Sequence, residues 1–182
     1  MAQTATIHTF GIDLAHIDRG VFERLDLKVA RHPSETTEYM LARVLAYCCE
    51  FREGIAMTEG LSSGDEPAVL VKDLTGRITA WIEVGMPDAN RLHRAAKLAA
   101  RVAVYTHRDI RQLLAQLAGQ KIHRGGEIPI YALDRGRLEE LAAVVDRRAD
   151  AAISISAGDI YVTLGSRTVT VPIVEHHATP AG

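Results

Sequence analysis

The chain has 182 residues, 47% of them apolar and 24% charged, with 21 Lys and Arg against 23 Asp and Glu and a formal charge of -2. That length and balance suit one soluble domain with a full hydrophobic core, spanning 1-182, and exclude a disordered or fibrous chain. They also exclude a membrane-spanning helix, for which no apolar run is long enough, and a surface basic enough to grip nucleic acid by charge alone.

The opening residues MAQTATIHTFGIDL lack the basic stretch and apolar core of a secretory signal, so the expected location is the cytoplasm. Residues 4-14 alternate Phe10, Ile12 and Leu14 with polar or small residues, the period of a half-buried strand. A second strand over 24-30 alternates Leu25, Leu27 and Val29 with Arg24, Asp26 and Lys28, and the two are close enough to form an antiparallel hairpin. Pro33 and Ser34 then open a helix, with Ser34 as cap and Glu35 favourably placed against the dipole. Its core stripe is Met40, Leu41, Val44, Leu45 and Cys48, which leaves Glu38 and Arg43 on a polar side facing solvent or a cleft. Cys48 and Cys49 are the only cysteines; neighbours on a helix diverge, so they pack as small hydrophobes.

After the turn-forming LSSGDEP, residues 68-72 and 77-85 read as two strands around the tight turn DLTG. Trp81 and Glu83 fall on one face of the second strand. A helix over 86-100 is entered through Pro87 and Asp88, with Leu92, Ala95, Ala96 and Ala99 buried and Arg91 and Arg94 on another face. VAVYT, 102-106, suits a buried strand parallel to its neighbour. A further helix spans 108-118, and the strand EIPIYAL keeps Pro129 at an edge or a strand start. Asp134 caps a helix through Val145. Three alternating runs, AAISISA, IYVTLG and RTVTVPIV, give an antiparallel meander, and 176-182 are expected to fray.

The chemistry-bearing stretch is 64-97. Carboxylates from two adjacent strands, Asp65 or Glu66 and Glu83, can converge on magnesium or manganese, hard cations that take oxygen ligands and keep several waters. Such an ion polarises a phosphodiester and activates water, while a nearby cation steadies charge developing on the phosphate. The span Arg91, Arg94, Lys97, Arg101, Arg108 and Arg111 faces only Asp109 as an acid, so it offers the one local patch for nucleic acid. The histidines show no zinc-like spacing, and Gly125-Gly126 reads as a strand-entry turn because no helix follows directly.

ARHPSET, DEP and WIEVGMPD, in this order and followed by the closing meander, resemble the YaeQ family of small bacterial proteins over nearly the whole chain. The resemblance implies an α/β fold with a restriction-endonuclease-like core: a mixed central sheet flanked by helices, related to PD-(D/E)XK nucleases, with additional antiparallel strands at both chain ends. It further implies a magnesium-dependent phosphodiesterase or nuclease, with metal ligands at Glu83 and at Asp65 or Glu66. Two residues past Glu83 the nuclease pattern has a lysine, and this chain has Gly85. Arg94, then Lys97, are the candidates to replace it, with Arg91 beside Arg94 for phosphate binding; Glu38 resembles the extra acidic residue of many relatives. The alternative is an inactive member that keeps the cleft and binds nucleic acid or protein. No organic cofactor is expected, and a monomer is.

Overall fold

The computed structural model describes residues 4-59 and 64-178. Ten strands among them form one sheet. They are β1 (Thr6–His16), β2 (Val21–Arg31), β3 (Ile55–Met57), β4 (Val69–Lys72), β5 (Ile78–Val84), β6 (Arg101–Thr106), β7 (Pro129–Leu133), β8 (Arg148–Ser156), β9 (Asp159–Leu164) and β10 (Arg167–His177). Four α-helices accompany them: α1 (Thr37–Glu50), α2 (Ala89–Leu98), α3 (Ile110–Leu117) and α4 (Arg135–Ala142). The strand order is β2-β1-β8-β9-β10-β7-β6-β5-β4-β3, a mostly antiparallel and nearly closed sheet in which β1/β8, β5/β6 and β6/β7 run parallel. None of the described helices is long and apolar enough to cross a membrane.

The period-two patterns fold as hairpins. β1 pairs with β2 so that Phe10 faces Leu27 and Ile12 faces Leu25, and β4 pairs with β5 so that Leu70 faces Trp81. The predicted crossover is present: β5, α2 and then β6, parallel to β5. The meander β8-β9-β10 is also present. Asp88, Asp109 and Asp134 each accept a backbone N–H in the first turn of the helix that follows, as short carboxylate caps do. Pro129 opens β7, where its missing amide costs no ladder bond, and Gly125–Glu127 form a single 3-10 turn before it.

Four expectations need correction. α1 starts at Thr37, capped by the Thr36 hydroxyl, which accepts from Tyr39 N at 3.1 Å; Ser34 instead meets His32 Nδ1 at 2.6 Å. α4 ends at Ala142 rather than Val145. The C-terminal segment is not frayed through residue 178: His176 and His177 pair with Ile130 and Pro129, Ala178 N donates to Ile128 O, and Ala178 is buried. Residues 179-182 and the start of LSSGDEP, 61-63, lie outside the described residues.

The fourth correction concerns α1, which has no solvent side. Ten of its 14 residues are buried, because the sheet curls round it and it touches strands from both ends of the strand order. Each fully buried Leu, Val or Met there contributes roughly 1.5–3 kcal/mol. Arg43 is among the buried residues, fully enclosed. Its guanidinium donates to Glu35 Oε2 (3.1 Å), to Ala30 O of β2 (3.1 Å) and to Thr58 O just past β3 (2.9 Å). Since β2 and β3 are the two ends of the strand order, Arg43 ties the seam of the curled sheet. A second apolar cluster, including Trp81, Leu92, Val104, Leu113 and Ile130, packs α2 and α3 against β5, β6 and β7.

Candidate functional site

A cleft of about 410 Å3 opens at the N-terminal end of α1, where β5 gives way to the loop before α2. β5 ends by sending Glu83 towards α2, and Gly85 then turns the chain with φ +103 while its N–H donates to Tyr105 O at 2.9 Å. A side chain at Gly85 would be strained by that φ, and its Cβ would stand 3.3 Å from the Tyr39 ring. The place where the nuclease pattern carries lysine is therefore one that this backbone reserves for glycine.

Glu83 is 5% exposed. Its Oε1 accepts from Trp81 Nε1 at 2.7 Å, as the shared strand face predicts, and from Arg91 Nε at 2.5 Å. Arg91 sits in the first turn of α2, so its side chain leans back over the end of β5. It also donates Nη1 to Gly64 O and Nη2 to Glu66 O, both at 2.6 Å, and so straps the 64-66 segment to Glu83. All three donations combine charge with fixed geometry, the arrangement in which arginine binds most strongly.

The predicted residues divide between two places. Glu66, Glu83 and Arg91 line one cleft. Asp65 and Arg94 line a second depression of about 230 Å3, which Trp81 and Arg91 also line. Lys97 is exposed a turn farther along α2, and Glu38 lines neither recess, although its charge reaches His107. Among the described residues, no group of three or more His, Cys, Asp or Glu side chains comes together to hold a metal ion.

Tyr39, His107 and Arg108 join the same cleft, and nothing local in the sequence marks them. The Tyr39 hydroxyl donates to Val84 O at 3.3 Å, and burial pushes its pKa up to about 12, so it stays a neutral donor. His107 is buried, packs edge-on to Tyr39 at 6.4 Å between ring centres, and leaves Nδ1 without a partner among the described residues. Burial, then the charges of Arg108 and Arg135, lower its pKa, against a smaller pull from Glu38; the ring is neutral at neutral pH. The cleft thus presents three carboxylates, of which Glu35 is paired with Arg43, one guanidinium already spent on Glu83, an exposed Arg108 and two neutral hydrogen-bonding rings.

Comparison with known proteins agrees over the full length. The YaeQ protein family profile matches residues 1–173. The "Uncharacterized protein YaeQ" of Escherichia coli (strain K12) is 34% identical over 164 residues, covering 90% of this chain and 91% of that protein, and the Salmonella typhi protein of the same description matches to the same extent. The crystal structure of YaeQ from Pseudomonas syringae superposes with a TM-score of 0.85 at 33% identity, covering 98% of this chain and 97% of that one. The YaeQ structure from Xanthomonas axonopodis pv. citri gives the same TM-score at 26% identity, over 95% and 98%. Matched from its first strand into its last, in sequence and in architecture, the chain belongs to the YaeQ family.

Proposed function

We propose that the protein is a magnesium-dependent phosphodiesterase acting on nucleic acid, with a divergent PD-(D/E)XK core formed by β4, β5, α2, β6 and β7. The observation that carries this reading is the meeting of Glu83 and Glu66 in one cleft, with Arg91 of the following helix bonded to Glu83 and to the Glu66 backbone. The donor set suits a hard cation. Glu83 Oε2 receives no hydrogen bond among the described residues, Glu66 is exposed, and magnesium commonly rests on one or two carboxylates with water filling the remaining positions.

Glu83 and Glu66 would hold the ion, with Asp65 outside the cleft; when bound, magnesium supplies Lewis-acid polarisation of a phosphoryl oxygen and activates water. The chain's own residues divide the rest of the work. Arg91 holds the 64-66 segment in place and keeps Glu83 oriented. Exposed Arg108 at the rim attracts the phosphate backbone, and neutral His107 accepts a proton inside the cleft. Arg94 and Lys97 lie along the outer face of α2 and serve as backbone contacts.

A second reading, a catalytically inactive member that binds nucleic acid or protein, is favoured by one specific observation. The Arg91 guanidinium sits on Glu83 in the manner of a built-in cation, and a lysine at Gly85 would be strained. Calorimetric titration with manganese separates the two readings. Binding that is lost in Glu83→Gln supports the phosphodiesterase, and absence of binding supports the inactive module. Nicking of plasmid or single-stranded DNA that survives Glu83→Ala would sink the catalytic assignment.

A further inference from the structure

The opposite end of α1 carries a second cleft, of about 320 Å3, that the reading of Glu83 does not involve. The helix separates the two by about 20 Å, its 14 residues at roughly 1.5 Å each. The floor of this cleft is Glu50, 2% exposed. Arg101 clamps it with two hydrogen bonds, Nε to Oε2 at 2.9 Å and Nη2 to Oε1 at 2.7 Å. The Tyr105 hydroxyl donates to Oε1 at 2.8 Å, and Arg52 adds Nη2 to Oε2 at 3.3 Å.

Glu50 therefore has its acceptor capacity filled, and what it does for the cleft is to fix two guanidinium groups. Each has donors to spare: Nη1 of Arg52 and Nη1 of Arg101 meet no acceptor among the described residues. The third arginine, Arg19, is used up on the C-terminal carbonyls of α1, Cys49 O and Phe51 O. The remaining acids on the lining each have one partner: Asp18 Oδ2 accepts from Ala157 N, and Glu175 Oε1 lies 3.4 Å from His177 Nε2.

His16 completes the arrangement. It is 8% exposed, lines the same cleft, and its Nδ1 has no partner among the described residues. Burial, then Arg19, lower the pKa of His16, so the ring enters neutral and either offers or accepts one hydrogen bond according to its tautomer. Ile155, Ile173 and the Tyr131 ring supply apolar walls. Fixed cationic donors, one polar group awaiting a partner and apolar walls are the composition of a small-molecule site, and the volume lies near the lower end of such pockets.

We propose that this cleft binds a small organic oxyanion with an apolar body, its anionic group taken by Nη1 of Arg52 and Arg101 and a polar atom of its body by the His16 ring. The test follows the arginine Nε–H signals of the full chain by NMR during titration with benzoate, phenyl phosphate and inorganic phosphate. Saturable shifts at Arg52 and Arg101 with an organic probe, tighter than with inorganic phosphate, are expected. The tighter of benzoate and phenyl phosphate assigns the anion as carboxylate or phosphate. Affinity falls about tenfold in Arg52→Gln, the loss of one charged hydrogen bond, and falls also in His16→Phe, which keeps the ring volume. Arg101 is left intact, since its removal would strand the buried Glu50. Binding is unchanged in Glu83→Gln. Non-saturating shifts with all three probes, inorganic phosphate binding as tightly as the organic probes, full affinity in Arg52→Gln, or loss of binding in Glu83→Gln would each overturn the proposal.

Discussion

Replacing Arg43 by Met tests whether the curled sheet is held at its seam. The guanidinium is fully buried and serves Glu35, Ala30 O and Thr58 O at once, so removing it strips a buried carboxylate of its Arg43 partner and takes one donor from each of two carbonyls, one in β2 and one just past β3. Removing one member of a buried pair costs about 3–5 kcal/mol. For a chain of this size each kcal/mol lowers Tm by about 2–4 °C, so the expected fall is about 6–20 °C. Calorimetry gives that number directly, and urea unfolding checks it. The double variant Glu35→Leu/Arg43→Met should recover part of the loss, because a neutral apolar pair replaces a buried carboxylate that has lost its Arg43 partner. A single variant within about 1 kcal/mol of the parent, or a double variant no better than the single, would refute the argument.

The other expectations concern the two ends of α1. Gly85→Lys restores the residue type of the nuclease pattern, yet it should cost about 1–2 kcal/mol, because it forces a side chain onto positive φ, and leave cleavage no faster; a gain in activity would show that the backbone adapts. Arg91→Ala should lower stability by about 1.5–3 kcal/mol and open the 64-66 segment to limited proteolysis, with unchanged digestion counting against the strap. The Glu50 carboxyl is pushed up by burial but pulled further down by its hydrogen bonds and attraction to Arg101, then by Tyr105 and Arg52, and ends below its ordinary 4.5. A depressed folded pKa means stability present above that ordinary value and lost as pH falls through the folded one. The stability gap in urea unfolding between the parent and Glu50→Gln should therefore be full at about pH 7 and narrow as pH falls below that ordinary value; a gap that does not change with pH would contradict it.

The sequence made the hairpins and the capped crossover helices readable because their determinants are local: Phe10, Ile12 and Leu14 alternate within one strand, and Asp88, Asp109 and Asp134 cap within four residues. What it concealed depends on distant partners. Arg43 reads as a solvent-side cation because charged helix residues are usually exposed, and only the closing of β2 towards β3 surrounds it. His176 and His177 read as tail because β7, their partner, lies more than forty residues earlier. At the candidate site the acids were legible as a cluster, but the choice between Arg91 and Arg94 was not. It turns on which residue stands in the first turn, about 4.5 Å nearer the end of β5. Tyr39 and His107 come from α1 and the end of β6, and no spacing rule links them to Glu83.

The position of β10 bears on how the molecule is made. It is the last of the described strands in sequence, yet it stands fifth in the order, between β9 and β7, and so among the described residues its two ladders join the two halves of the sheet. During synthesis β3 to β7 can assemble among themselves, whereas β1 and β2 must wait for β8, more than a hundred residues later. Until Arg167–His177 are made, β7 and β9 each present a bare edge to solvent, the condition under which nascent sheets pair with the wrong neighbour. Synthesis of β10 thus closes the sheet, and a message truncated just before Arg167 would leave two half-sheets held together by packing on α1 rather than by a ladder.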